Sequence, residues 1–255
     1  MSTTAIESID INAINGTLES KTAFDILTWC YQTFEKDDVK LSTSFGAEGM
    51  VLVHILSSMI EQPRIFTIDT GRNFQETYEV WEEANEKYGI DIECYYPDPQ
   101  DVHKLIKGKG PNLFYRSVEN RKACCHVRKV RPLRFALADA GVWISGLRRE
   151  QGALRRDMPV LSYIEEHDVY KICPLANWTE QNVWEFIRNN AVPYNKLHDK
   201  GFPTIGCEPC TRPIRPAEDI RAGRWWWEKE ADKECGIHLE NGKVVRKKQV
   251  VNYTI

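Results

Sequence analysis

Four of the eight cysteines in this 255-residue chain stand in spacings that suggest ligation. Cys124 and Cys125 are adjacent, and Cys207-Glu208-Pro209-Cys210 holds two thiols separated by two residues. The two-residue spacing is shared by zinc sites, iron–sulfur sites and redox dithiols, so alone it decides little. The adjacent pair narrows the choice. Read at the start of a helix, two neighbouring side chains diverge, which is awkward for one metal ion but acceptable to separate iron corners of a cubane. Cys124, Cys125, Cys207 and Cys210 therefore favour a [4Fe–4S] cluster over zinc, with the 81 intervening residues folded back.

A fifth cysteine has a different setting. Cys235 lies in Lys233-Glu234-Cys235-Gly236-Ile237-His238, a polar stretch with no apolar period. His238 and nearby cations would lower its pKa, which makes Cys235 a candidate nucleophile. Cys30, Cys94 and Cys173 fall on apolar positions of predicted elements and read as core thiols.

Three polar segments could meet an anion. Ser42-Thr43-Ser44-Phe45-Gly46-Ala47 joins a predicted strand to a helix and offers hydroxyls and free N–H groups suited to phosphate oxygens, without the Walker lysine. Asp69-Thr70-Gly71-Arg72 ends the next strand, where it reads equally as an Asx-type turn. Gly146-Leu147-Arg148-Arg149-Glu150-Gln151 ends a later one, and its arginines suit bidentate anion contacts.

The elements that must position these groups follow from periodicity. Steps of three and four residues predict helices over 21–35, 50–59, 74–88, 125–138 and 182–189, the last capped by Thr179 and stopped by Pro193. Strands are predicted over 39–45, 64–68, 91–96, 143–147 and 169–173, and the segment 108–120 as a loop. Alternating strands and helices imply an α/β fold: a mostly parallel sheet with helices on both faces, plus a mobile C-terminal tail. Ligands then bind beyond the carboxyl ends of the strands, where the polar segments lie. The division expected is an N-terminal helical segment (1–37), an α/β core binding nucleotide and cluster (38–216), and a tail carrying Cys235 (217–255).

Composition limits the function classes. No apolar run approaches the ~18 residues that span a bilayer, and the N-terminus lacks a signal-peptide pattern. The thiol usage predicts a cytoplasmic protein. A net charge of −3 argues against general nucleic-acid binding. Residues 122–155 nevertheless hold eight Lys or Arg against Asp139 and Glu150, a local positive field that suits a small anion.

Together, Ser42 to Glu48, Ile68 to Arg72, Glu76-Thr77-Tyr78, Cys124-Cys125, Gly146 to Gln151, Cys207 to Cys210 and Glu234 to His238 resemble an assimilatory adenylyl-sulfate (APS) reductase of the cluster-containing type. The resemblance spans residues 38–240. It implies an adenine-nucleotide hydrolase-like fold, a [4Fe–4S] cluster on the four cysteines, and attack by Cys235 on the sulfate sulfur with AMP leaving. Thioredoxin or a similar dithiol protein would then release sulfite. The resemblance places Lys129 between cluster and substrate anion, and Arg221, Arg224 and His238 over the phosphosulfate. Ser42, Ser44 and Gly46 match the phosphate loop, Asp69, Gly71 and Arg72 the next strand end, and Arg148 with Arg149 the substrate-side arginines. Where the family commonly has an acidic residue this chain has Gly49, and where it often has serine this chain has Gly152.

The nearest alternative is phosphoadenylyl-sulfate reduction or dual specificity. More distant ones are a cluster-bearing tRNA sulfurtransferase and a non-enzymatic, metal-stabilised interaction module that uses Trp225 to Trp227 as a contact patch. A homo-oligomer is compatible with the sequence.

Overall fold

Short apolar runs, each closed by a polar turn, build a six-stranded sheet in this computed structural model, which describes residues 10–152, 155–229, 237–240 and 243–246. The strands are β1 (Val39–Ser42), β2 (Ile65–Ile68), β3 (Glu93–Tyr95), β4 (Val142–Ser145), β5 (Leu161–Ile164) and β6 (Val169–Ile172), in the order β3-β2-β1-β4-β6-β5. All neighbours are parallel except β5, which runs antiparallel to β6. The helices are α1 (Ile11–Leu18), α2 (Ala23–Thr33), α3 (Ala47–Met59), α4 (Gln75–Tyr88), α5 (Pro99–Ile106), α6 (Val118–Cys125), α7 (Arg131–Ala136) and α8 (Glu180–Asn189). β7 (Ile237–Glu240) and β8 (Lys243–Arg246) pair as a separate two-stranded antiparallel sheet.

Alternation along the strands divides the core between two faces. Leu41, Ile65, Val142 and Ile144 pack with apolar side chains of α2, α3, α4 and α8 on one face. Phe66, Ile68 and Trp143 point to the other, against Leu133 and Ala136 of α7. Helices therefore cover both faces. Each fully buried Leu, Ile or Phe contributes about 1.5–3 kcal/mol through loss of apolar surface to water.

The chain builds β1, β2 and β3 outward in one direction and then returns to lay β4 on the other side of β1. That reversal opens a crevice between the carboxyl ends of β1 and β4, the usual ligand position in such sheets.

The periodicity misplaced one element that matters. The helix expected from residue 125 begins at Val118, because the Ser117 hydroxyl accepts the Asn120 N–H at 3.2 Å and caps it there. Cys124 and Cys125 thus close α6 instead of opening a helix. They run directly into a π-helical turn, His126–Val130, and then into α7. Pro132 sits at the start of α7, where its missing N–H costs no bond within that segment.

Other elements escaped the sequence reading. The expected loop over 108–120 contains a 3-10 turn, Leu113–Tyr115, with Leu113 and Phe114 buried. Helix α1 covers the edge strand β5: the Asn15 amide donates to Leu161 O and its carbonyl accepts from Leu161 N–H, both at 2.8 Å. The pairing satisfies backbone groups that an edge strand otherwise leaves open.

Candidate active site

Segments remote in sequence meet at the carboxyl edge beside β2. Cys124 and Cys125, at the end of α6, share one cavity with Cys207 and Cys210. The two-spaced pair is held there by the backbone of the β2 loop: Glu208 N–H donates to Arg72 O at 2.8 Å, and the Thr70 hydroxyl lies 3.2 Å from Cys207 Sγ. Phe114, buried under the 3-10 turn, and Trp225 complete the apolar wall.

Five cations line the same cavity: Arg72, Arg121, Arg128, Lys129 and Arg224. Arg128 donates to Thr70 O at 2.7 Å, Arg72 to Pro111 O at 2.6 Å and Arg224 to Ile205 O at 3.2 Å. Among the described residues each of these arginines still keeps a buried Nε–H without an acceptor, and the indole N–H of Trp225 has none either. Four buried donors without partners around one cavity are costly unless an anion meets them.

The thiols in their unligated form are poor nucleophiles. Burial first, then the neighbouring Cys207, pushes Cys210 up to about 12. Burial also raises Cys124, against the pull of Arg128. Coordination to a metal deprotonates such thiols. Among the described residues no three His, Cys, Asp or Glu side chains gather tightly enough for a single ion. Four thiols lining a cavity that also holds buried cationic donors without acceptors among the described residues fit a multi-centre anionic group such as an iron–sulfur cluster.

The remaining sequence candidates divide. The loop after β1 presents Ser44 to solvent, while Ser42 accepts the Trp143 indole N–H at 2.7 Å. Phe45 takes a positive φ of 59° and is almost fully buried, stacked on Trp81 at 5.6 Å. A left-handed bulky residue is strained, and here it forces a tight turn that brings Gly46 to the start of α3. Gly49 has a steric reason: a Cβ there would stand 2.7 Å from Thr43 Oγ1, which caps the Phe45 N–H at 3.0 Å. Gly152 has a conformational one, with φ 152° and ψ 164°, a region open essentially to glycine alone.

Asp69 organises its own turn, accepting from Gly71 N–H at 2.8 Å, Asn73 Nδ2 at 3.1 Å and the Tyr78 hydroxyl at 3.0 Å. Gly71 takes the positive φ of 68° that the turn requires. Arg148 is buried and paired with Glu48 and Glu150, each at 2.8 Å. Arg149 holds Glu19 of the N-terminal segment at 2.9 Å and donates to Met158 O. Neither of these two arginines lines the thiol cavity. Arg221 lies beside Gly152, whose added Cβ would meet Arg221 Cδ at 3.8 Å, so the segment after Cys210 reaches the loop after β4. Cys235 lies outside the described residues. His238 falls in β7, of which only the backbone is described.

Sequence reasoning did not single out Arg121, Arg128 or Phe114, it read Thr70 only as part of the strand-end segment 69–72, and it gave Trp225 to packing at the base of the tail. Arg128 stands four residues after Cys124, one helical turn along the same continuous helical run, which is the one local signal available. The others arrive from separate loops.

The fold and site define a nucleotide-binding α/β protein with a thiol-lined, cationic cavity beside the ligand edge. Residues 38–213 match the family model of the phosphoadenosine phosphosulfate reductase domain, and the chain belongs to that family. It is similar to the adenosine 5'-phosphosulfate reductase of Burkholderia cepacia, 47% identical over 203 residues covering 80% of this chain and 81% of that one. The Allochromatium vinosum adenosine 5'-phosphosulfate reductase is 48% identical over 204 residues, 80% of each chain. A solved phosphoadenylyl-sulfate reductase of Candida auris, in a phosphate complex, superposes with a TM-score of 0.69 at 27% identity, over 79% of this chain and 96% of that one. Among the described residues no helix is long and apolar enough to cross a membrane.

Proposed function

We propose that this protein reduces adenylyl sulfate to sulfite and AMP, with Cys235 as the attacking thiol and a [4Fe–4S] cluster on Cys124, Cys125, Cys207 and Cys210. The observation that carries the cluster is the set of partnerless buried donors on Arg72, Arg128, Arg224 and Trp225, all lining the cavity of the four thiols. Choice of substrate rests on the likeness to the two adenosine 5'-phosphosulfate reductases, each matched over 80% or more of its length.

In this reading the Cys235 thiolate forms an S–S bond to the sulfate sulfur while the bond from sulfur to the phosphate oxygen breaks. AMP carries away the electron pair and an S-sulfocysteine remains. A dithiol protein of the thioredoxin kind then attacks Cys235 Sγ, releases sulfite and resolves the mixed disulfide with its second thiol. When bound, the cluster supplies a fixed compact anion that holds its thiolates and the surrounding guanidinium groups in register.

The chain's own residues supply the rest. Lys129, on the π-helical turn between Cys125 and α7, offers an ammonium to the phosphosulfate and offsets repulsion of the incoming thiolate. Ser44 and the N–H groups at the start of α3 receive phosphate oxygens. Arg221 and Arg224 bring cationic charge from the segment that leads to Cys235.

The test is anaerobic incubation with adenylyl sulfate followed by intact-protein mass measurement. Wild type gains one sulfonate, mapped to Cys235, while Cys235→Ser binds the nucleotide and gains none. Sulfite production by Cys235→Ser at the wild-type rate would sink the assignment. On the same sample, about four iron and four sulfide per chain are expected; one zinc without acid-labile sulfide removes the cluster. Steady-state rates with and without a 3′-phosphate on the nucleotide separate this reading from phosphoadenylyl-sulfate reduction.

A further inference from the structure

Arg121 is the most deeply buried cation of the described residues, and its partner stands near the end of the described run 155–229. Its guanidinium is fully buried and bidentate to Glu228: Nε to Oε1 at 2.9 Å and Nη2 to Oε2 at 2.7 Å, with the carboxylate 3% exposed. Trp225 lies across the pair. Arg121 stacks 4.5 Å from its ring and Arg224 4.8 Å, so the indole contacts two guanidinium groups while its N–H faces the thiol cavity without an acceptor. Its backbone is held at φ 41°, a left-handed conformation that a bulky residue adopts only when its surroundings impose it.

The backbone around Trp225 is tied just as firmly to the other thiol segment. Trp225 N–H donates to Cys210 O at 3.1 Å, Arg212 N–H to Gly223 O at 3.0 Å, and Thr211 bridges Arg224. The segment 223–228 is thus fastened by main chain to the Cys207–Cys210 turn and by side chain to Arg121, three residues before Cys124. Six residues then separate Glu228 from Cys235, a span of seven Cα–Cα steps that covalent geometry limits to about 25 Å.

We propose that Arg121 and Glu228 are positioning residues for the reaction: their buried ion pair, clamped beneath Trp225, fixes the point from which the chain departs toward Cys235 and ties that point to assembly of the thiol centre. The proposal rests on Cys235 being the attacking thiol. Anchoring both ends of the arrangement to one rigid centre raises the share of time a tethered thiol spends within reach of its target. In the function proposed above, nucleotide binding draws mainly on Ser44 and the N–H groups at the start of α3, with Arg224 of the anchored segment adding charge at the phosphosulfate.

The experiment uses Glu228→Gln, which keeps shape and removes charge, and Glu228→Asp, which keeps charge on a shorter stem. Both are isolated anaerobically and compared with wild type at equal iron and sulfide content. For Glu228→Gln the rate of sulfonate appearance on Cys235 falls by roughly 30-fold, within the ~10²-fold that small misplacement of a reacting group costs. The dissociation constant for adenylyl sulfate changes by less than about twofold, and Glu228→Asp recovers a measurable part of the rate, as a charge-dependent positioning role requires. Limited proteolysis between residues 229 and 236 accelerates by about tenfold in Glu228→Gln, reporting local release of the anchored segment.

A wild-type sulfonation rate in Glu228→Gln overturns the proposal. So does a loss of nucleotide affinity equal to the loss of rate, since that would be general damage to the site. Should Glu228→Gln fail to fold, the rate-to-affinity ratio in Glu228→Asp decides by the same criterion. If wild type itself forms no sulfonate, the reaction assigned above fails; the proteolysis comparison still tells whether the pair anchors the segment.

Discussion

Two groups of arginines flank the carboxyl edge of the sheet, and their hydrogen bonding is completed to different degrees. Arg148 and Arg149 follow β4 and pair with Glu48, Glu150 and Glu19, so their charge is spent within the protein. Arg72, Arg128 and Arg224 line the cavity of the four thiols, each donates to a backbone carbonyl, and among the described residues each retains a buried donor without an acceptor. The first group joins the β4 loop to α3 and to the N-terminal helices. The second would be satisfied by the cluster proposed above.

Lys129→Ala is the sharpest attempt to break this contrast. Turnover of adenylyl sulfate is expected to fall about 10²-fold, equivalent to roughly 2.7 kcal/mol of transition-state stabilisation. The melting temperature should stay within about 2 °C, because Lys129 is only partly buried and lines the thiol cavity. A large thermal shift with an unchanged rate would reverse the roles of the two regions.

Arg148→Met should behave the other way. It leaves Glu48, only one-fifth exposed, without its guanidinium partner, a loss of about 2–3 kcal/mol and a fall in melting temperature of roughly 4–12 °C for a chain of this length. Affinity for the nucleotide, measured below the new midpoint, should change little. If affinity collapses while the midpoint holds, Arg148 serves substrate and the division fails.

The smallest effect concerns a thiol in neither region. Burial in the main core pushes Cys30 up to about 12. Its folded value is raised above the ordinary one, so its contribution to stability is complete below about pH 9 and is lost as pH climbs toward 12. Unfolding free energies from denaturant titrations should decline between pH 9 and 11 by at most about 1.4 kcal/mol per unit from this group. Cys30→Ala should flatten that slope. An unchanged slope assigns the decline to other groups.

Much of the fold, though not this contrast, was legible in the sequence. The strands β1, β2, β4 and β6 and the helices α2, α3, α4 and α8 follow from local periods, and Thr179 was readable as a cap because it accepts the Asn182 N–H three residues on. Helices α1 and α5, at eight residues each, are too short for a period to stand out, and β5 is recognisable only through its pairing with β6. The start of α6 was misplaced because the apolar stripe after residue 125 outweighed the Ser117 cap.

Residue chemistry is local, and so the sequence alone determined which groups could ligate metal or attack sulfur: four thiols in two close spacings and a fifth in a polar stretch. Which cations face those thiols was decided only by tertiary structure. Arg72, Arg121, Arg128 and Arg224 come from a strand end, a helix, a π-helical turn and the root of the tail, up to 152 residues apart. No period links such positions; they meet because the parallel sheet gathers its strand ends on one edge and the chain after Cys210 folds back across it.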